Sequence, residues 1–358
     1  MKLTTTYSPA SNVKVFSHND LDGVGCGIVA KLAFPDADVT YCGYHNIDER
    51  VSEFIKAGLY SNYDLIFITD ISLNEEVTKM INDRPEIAKK LKLLDHHATA
   101  MHLNEYDWAF VQPMGQLGTN SGTNMLFEYL KRFGCFRYEL YLDGLTCFVE
   151  KVRRYDSWEW YNVYDDESAS SLNDLFWLYG WKVFEKRYLD RFRKLKMCRV
   201  MNGNWLEMFD DGDRIVINVD NSKKRDYINR KQKQMLTGSI LGHRAGFVFA
   251  EQYISELGNK LSENNPELDF IVILDLGNKK VSYRTTHDFI DLGKDVASHF
   301  GGGGHAKASG SQLNAGAIKV LIAMMFGRET LVKHVSNLIT GKGLIGKVRK
   351  LVDKFTKN

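Results

Sequence analysis

Three groups of histidine and carboxylate residues stand in the first half of the chain, each at the end of a short apolar run. Asp95-His96-His97 follows Leu91 to Leu94. His18, Asp20 and Asp22, in Ser17-His18-Asn19-Asp20-Leu21-Asp22-Gly23, follow Val13 to Phe16, and Asp70 closes the run Asp64 to Thr69. His18, Asp20 and Asp22 share one parity, so an extended segment points them to the same side. Asp156, in Arg153-Arg154-Tyr155-Asp156-Ser157-Trp158, adds a carboxylate from an aromatic stretch. A mixed imidazole and carboxylate set suits Mn2+ first, with Mg2+, Co2+, Fe2+ and Zn2+ compatible. So many carboxylates exceed what one ion needs. Two ions about 3.5–4 Å apart, sharing one carboxylate and one water, would use them all, activating the water and neutralising charge on phosphorus.

Each group alone has a plainer reading. Asp20-Leu21-Asp22-Gly23 reads equally as a capped turn into a helix, and Asp70 as the cap of a helix starting near Ser72. Their joint placement favours metal chemistry. Val13 to Phe16, Asp64 to Thr69 and Leu91 to Leu94 read as buried strands, and Gly23 to Phe34 and Ser121 to Phe133 as helices. Strands alternating with helices predict a parallel sheet covered on both faces, and ligands of such sheets gather beyond the carboxyl ends of the strands. All three groups stand at such ends.

The bulk numbers set limits. A chain of 358 residues suggests two domains. The 44% hydrophobic and 26% charged fractions are those of a soluble globular protein, with no apolar run long enough for a membrane span and no signal-peptide core in Met1 to Ser11. Five scattered cysteines without a CxxC pair suggest neither a zinc site nor a disulfide framework, and so a reducing cytoplasm. A net charge of +2 argues against coating long nucleic acid, but not against a short anion held in a pocket.

The second half reads differently. Five of the six tryptophans fall between Tyr155 and Trp205 and are expected mainly in a helical core, although Tyr155, Trp158 and Trp160 could stack on bases. Ile228 to Leu241 reads as a charged helix. Gly246 to Glu251 reads as a strand, Ile254 to Ser262 as a helix, and Phe270 to Leu274 with Lys280 to Thr285 as a hairpin. The run Gly301 to Gly304 is expected to precede a helix and cradle an anion, with His305 and Lys307 adding charge. Arg284 could clamp a phosphate, or be an ordinary surface arginine. The basic, amphipathic tail reads as a terminal helix docked on its own domain.

These motifs, in this order, resemble the DHH/DHHA1 phosphoesterase superfamily. Ser17 to Gly23 is similar to its first motif, Ile68-Thr69-Asp70 to the second, Leu94-Asp95-His96-His97 to the third, Tyr155-Asp156 to the fourth, and Gly301 to Gly310 to the glycine-rich signature of the second domain. The resemblance covers roughly residues 13 to 325, and within the superfamily the chain resembles the B-type nanoRNases (oligoribonucleases) of Bacillus-like bacteria. It implies an α/β fold with a DHH metal-binding catalytic domain (1–200), a helical connector (201–244), a smaller DHHA1 substrate-binding domain (245–328) and a basic tail (329–358), with the active site in the cleft between domains.

The resemblance also implies residue roles. His18 and Asp20 would hold one metal, Asp70 would bridge, and Asp22, His96 and Asp156 would complete the second site. Asp95 would orient a ligand imidazole and His97 would face the substrate phosphate. Gly302, Gly303, Gly304, His305, Lys307 and Arg284 would bind the terminal phosphate and base. The implied partners are short RNA or DNA oligonucleotides, without a membrane, and a homodimer is compatible. The implied reaction is exonucleolytic release of mononucleotides. Rivals are a phosphodiesterase or phosphatase for cyclic dinucleotides or adenosine 3′,5′-bisphosphate, and, outside enzymes, a nucleotide-binding regulator with a disabled site.

Overall fold

The computed structural model describes residues 8, 10–136, 142–194, 208–313, 316 and 319. The tail from 329 onward, Trp205 and Cys198 lie outside the described residues. The chain divides into two compact units, 1–218 and 219–358.

The first unit runs β1 Val13–His18, α1 Leu21–Ala33, β2 Asp38–Cys42, α2 Ile47–Lys56, β3 Leu65–Thr69, α3 Glu75–Asn82, α4 Pro85–Ala88, β4 Leu91–Asp95 and β5 Ala109–Val111. A short hairpin, β6 Met114–Gly115 and β7 Gly118–Thr119, leads into α5 Gly122–Arg132. Helices α6 Leu142–Asp156, α7 Glu159–Asn162, α8 Glu167–Tyr179 and α9 Trp181–Arg193 follow. The strands form one parallel sheet ordered β2-β1-β3-β4-β5. Alternation along each strand feeds two cores. Val13, Val15, Leu65 and Phe67 pack under α1, α5, α6, α8 and α9, whereas Phe16, Ile66, Ile68, Leu91 and Leu93 pack against α2 and α3. The strand order reverses between β1 and β3, and a crevice forms at such a switch point. Ser17 pairs with Thr69 there, so His18 and Asp70 leave adjacent strands side by side.

In the second unit α10, Asp211–Gln234, enters from the first unit and is followed by β8 Leu236–Ile240, β9 His243–Phe249, α11 Ile254–Asn264, β10 Phe270–Asp275, β11 Lys280–Arg284, β12 Gly303–Gly304 and β13 Ala308–Gln312. The sheet order is β12-β13-β11-β10-β9-β8, with β9 and β10 parallel and the other pairs antiparallel. Leu257 and Leu261 of α11 pack on Val248, Ile271 and Ile273, joined by Tyr227 and Ile228 of α10.

Three expectations are corrected. Ile228 to Leu241 is not one helix: α10 stops at Gln234 and Leu236–Ile240 is an exposed edge strand. Leu241 and Gly242 both take positive φ (53° and 84°), the conformation of a two-residue hairpin turn, and fold β8 back on β9. The glycine run does not open a helix; Gly303–Gly304 is a strand paired with β13. A Cβ at Gly302 would lie 2.0 Å from the Gly310 carbonyl oxygen, and Gly304 has φ 137°, so glycine here permits close approach of two backbones. Finally, Trp158, Trp177 and Trp181 are exposed by 39% or more, against 2% for Trp108. Leu172, Leu175, Phe176, Phe184 and Tyr188 already fill the inner faces of α8 and α9, leaving Trp177 and Trp181 outside.

Candidate metal centre

Each candidate side chain stands at an element end of the first unit. His18 closes β1. Asp20 is the N-cap of α1 and accepts the Gly23 N–H at 3.0 Å. Asp22, in the first turn, is buried, and its two oxygens accept the N–H groups of Gly122 (2.5 Å) and Thr123 (2.9 Å) at the start of α5. Asp70 follows β3 in the left-handed region, with φ 59°. That conformation is costly for a residue bearing a Cβ, and it persists at functional sites when neighbours enforce it. Asp70 N–H bonds to Leu94 O at 3.0 Å. A Cβ at Gly122 would sit 2.5 Å from the Asp70 Cβ, so only glycine at 122 leaves Asp70 its place.

Two triads result, with potential ligand atoms within 4.8 Å of one another in each: His18, Asp20 and Asp70; and Asp22, His96 and Asp156. His96 Nε2 lies 3.1 Å from Asp70 Oδ1, 3.4 Å from Asp156 Oδ2 and 3.7 Å from Asp22 Oδ2. His18 Nδ1 lies 2.8 Å from Asp20 Oδ2 and 3.8 Å from Asp70 Oδ2. His18 Nδ1 and Asp70 Oδ2 are buried without a hydrogen-bond partner. Buried atoms of these types, facing each other 3.8 Å apart within the first triad, fit a divalent cation by the chemistry of the donor set.

The electrostatics agree. Burial pushes the Asp70 carboxyl well above its usual range, reinforced by the charges of Asp22, Asp20 and Asp156. Asp156 is pushed up by burial and then by Asp22, Asp20 and Asp95. Burial lowers His96, favouring the neutral ring that ligates metals. Burial would raise Asp20, but its contacts with His18 outweigh that and hold it low.

Asp95 is fully buried. Its Oδ1 holds His97 Nδ1 at 2.7 Å and accepts the His96 N–H at 2.8 Å, so the imidazole it orients belongs to His97 and not to the ligand candidate His96. The hydrogen bond to Asp95 raises His97 above its ordinary value.

Two residues here have no motif to announce them. Tyr44, after β2, packs its ring against His18 (4.9 Å between centroids), and its hydroxyl lies 3.3 Å from His97 Nε2. Burial, then the charges of Asp70 and Asp95, raise its phenol, so the hydroxyl keeps its proton. Arg153, 1% exposed, bonds both Glu150 oxygens, Glu159 (2.7 Å) and Thr119 O (2.8 Å). It ties the end of α6, where Asp156 sits, to β7 and α7.

In the second unit, β11 and β13 place Arg284 opposite Ala308, beside the turn containing His305. The Arg284 guanidinium donates to Tyr283 O (2.9 Å) and Ser255 Oγ (3.2 Å), and no carboxylate lies within ion-pair distance among the described residues. Burial lowers its pKa. Gly302, Gly303 and Gly304 lie on or beside β12, and His305 is exposed. Lys307 is engaged with Asp288 (2.6 Å) and Thr286 O (3.0 Å), leaving its charge partly satisfied.

No protein-family model matches the chain. It is 41% identical over 315 residues to Bacillus subtilis oligoribonuclease NrnB, covering 87% of this chain and 75% of that protein. It is 23% identical to a Helicobacter pylori 3′,5′-cyclic-nucleotide phosphodiesterase, covering 83% and 92%. Among solved structures, the PF0399 DHH domain, described as a member of the s1p family of ribosomal proteins, aligns with a TM-score of 0.52 at 13% identity over 91% of this chain and 87% of that one, a likeness of fold. With the parallel sheet and the ordered Asp and His motifs, the identity to NrnB settles the family: the chain belongs to the NrnB oligoribonucleases.

Proposed function

We propose that this protein hydrolyses short oligonucleotides to mononucleotides, with two divalent cations, Mn2+ first among them, in the first unit. The observation that carries the reading is the pair of triads joined by the 3.1 Å approach of Asp70 Oδ1 to His96 Nε2. His18, Asp20 and Asp70 would hold one cation, and Asp22, His96, Asp156 and again Asp70 the second. Bound there, the pair supplies a water of lowered pKa and neutralises charge developing on phosphorus. His97, fixed through Nδ1 by Asp95, can present Nε2 to a phosphate oxygen. Arg284, Gly302 to Gly304, His305 and Lys307 would grip the terminal phosphate and base, Arg284 by exchanging weak neutral partners for an anion. The division of labour would follow residues 1–200, 201–244 and 245–328. Among the described residues no helix is long and apolar enough to cross a membrane, and Cys26, Cys42, Cys135 and Cys147 are free, in keeping with a cytoplasmic enzyme.

The test is a time course with Mn2+ on an end-labelled five-nucleotide RNA, the matching DNA and a cyclic dinucleotide. Stepwise loss of one nucleotide from the RNA supports the reading. Internal cleavage, or turnover of the cyclic substrate alone, overturns it.

A further inference from the structure

A cavity of about 390 Å3 lies in the second unit beyond the carboxyl ends of the parallel strands β9 and β10. Its floor is Phe249, Ala250, Leu274 and Leu276, and its rim carries Glu251 and Gln252. One wall is α10, whose Tyr227, Arg230 and Lys231 fall at i, i+3 and i+4 and therefore share one face. That wall is fixed to the unit by Tyr227 and Ile228 in the α11 core and by Gln232 paired with Asn265 at 3.0 Å. The cavity is remote from the glycine hairpin: Arg284 pairs with Ile271 at the opposite end of β10, and β12 is three strands away in the sheet.

Its chemistry is specific. Arg230 and Lys231 lie 5.2 and 5.4 Å from the Tyr227 ring centroid. Among the described residues neither has a carboxylate within ion-pair distance, although Glu251 lines the same cavity. Phe249 and Leu276 remain 44% and 36% exposed at the floor, an apolar surface without cover. Two cations that rest on an aromatic ring and have no carboxylate partner among the described residues call for an anion; exposed aromatic and aliphatic surface calls for a flat ring. The volume sits at the lower end of the roughly 300–1,000 Å3 of small-molecule sites. We infer that this cavity binds a nucleoside monophosphate, its phosphate on Arg230 and Lys231, its base over Phe249 and Leu276, and its hydroxyl or amino groups on Glu251 and Gln252. Parallel strands commonly hold ligands at this end. The site needs neither the metal centre nor the phosphodiesterase reading.

Calorimetric titration of the full chain in EDTA, with AMP, adenosine, inorganic phosphate and a long single-stranded RNA as separate titrants, tests it. AMP is expected to bind about ten-fold or more tightly than adenosine or phosphate, a difference of ~1.4 kcal/mol or more. Arg230→Ala/Lys231→Ala is expected to weaken that binding about ten-fold or more, while melting like the parent and cleaving the five-nucleotide RNA within about two-fold of its rate. An AMP isotherm unchanged in the double variant overturns the inference. So does phosphate binding as tightly as AMP, which marks a plain cationic patch. Long RNA binding more tightly than AMP through these two residues also overturns it, marking a strand-binding face.

Discussion

Asp70 combines a left-handed backbone, burial and three like-charged neighbours, Asp22, Asp20 and Asp156, a set of costs that enforcing neighbours sustain and a divalent cation would relieve. Asp70→Ala is expected to abolish hydrolysis of every substrate; activity surviving in a steady-state assay would remove it from the bridging role. Gly122→Ala forces a Cβ onto that of Asp70, and overpacking of this kind costs about 1–3 kcal/mol. Its urea midpoint should fall and its activity with it. Tyr44→Phe keeps the ring on His18 but removes the hydroxyl beside His97 Nε2. A fall of about ten-fold in turnover, ~1.4 kcal/mol, is expected at unchanged Mn2+ affinity, and a metal titration beside the kinetics separates the two. That the residues of the two triads gather was legible from their types, which are few and suited to metals, and from His18, Asp70 and His96 standing at or just after strand ends. Tyr44 was not, since an isolated tyrosine in a loop looks the same whether it meets a histidine or solvent. Asp95 was seen, but the imidazole it serves depends on side-chain direction, which spacing does not fix.

At the level of elements, the centre depends on how α6 is held. Arg153→Met removes the guanidinium that joins half-buried Glu150 and Glu159, which keep only Arg154 and the Thr119 N–H, at a cost of about 1–3 kcal/mol. Denaturant unfolding should show this, together with weaker metal binding as the end of α6 loosens. The neighbouring cluster gives an acid dependence. Burial would raise Asp166, but Lys151, Ser168 and Arg154 hold it below its ordinary value. A carboxylate lowered in the fold stabilises fully above its unfolded pKa of about 3.9, and this stability is lost as pH falls through the lower folded value. Asp166→Asn should therefore reduce stability at neutral pH and flatten its decline in acid, as read from urea midpoints across pH. The buried strands β1, β3 and β4 were readable as apolar runs. Edge strand β2 is half-exposed and β5 has only three residues, so neither carries the pattern that marks a buried strand. The glycine hairpin is not legible in the run alone, because a run of glycines is compatible with a helix N-terminus and with two closely approaching strands alike; Gly310, eight residues after Gly302, decides between them.

For the whole molecule, four acidic side chains and two imidazoles share the mouth of one sheet, so cation occupancy bears on stability as well as rate. A ligand that binds only the folded chain, at about 100 times its Kd, stabilises it by about 2.7 kcal/mol. Removing metal with EDTA should abolish activity and lower the melting temperature, and Mn2+ should restore both; a melting curve indifferent to Mn2+ would argue against occupancy of these triads. The presence of two units was legible from length and from the change of character near the tryptophans. The division itself falls inside the continuous helix α10, between Asn218 and Val219, where composition marks no boundary.

Asp22 spends both of its oxygens on the first N–H groups of α5. The floor of the site is thus assembled by the backbone itself, as a cap, before any ion arrives. A site built this way would keep this part of its shape when its cations leave, at a lower melting temperature but still folded. Cellular metal supply would then act as a dial on turnover more than on the amount of folded enzyme.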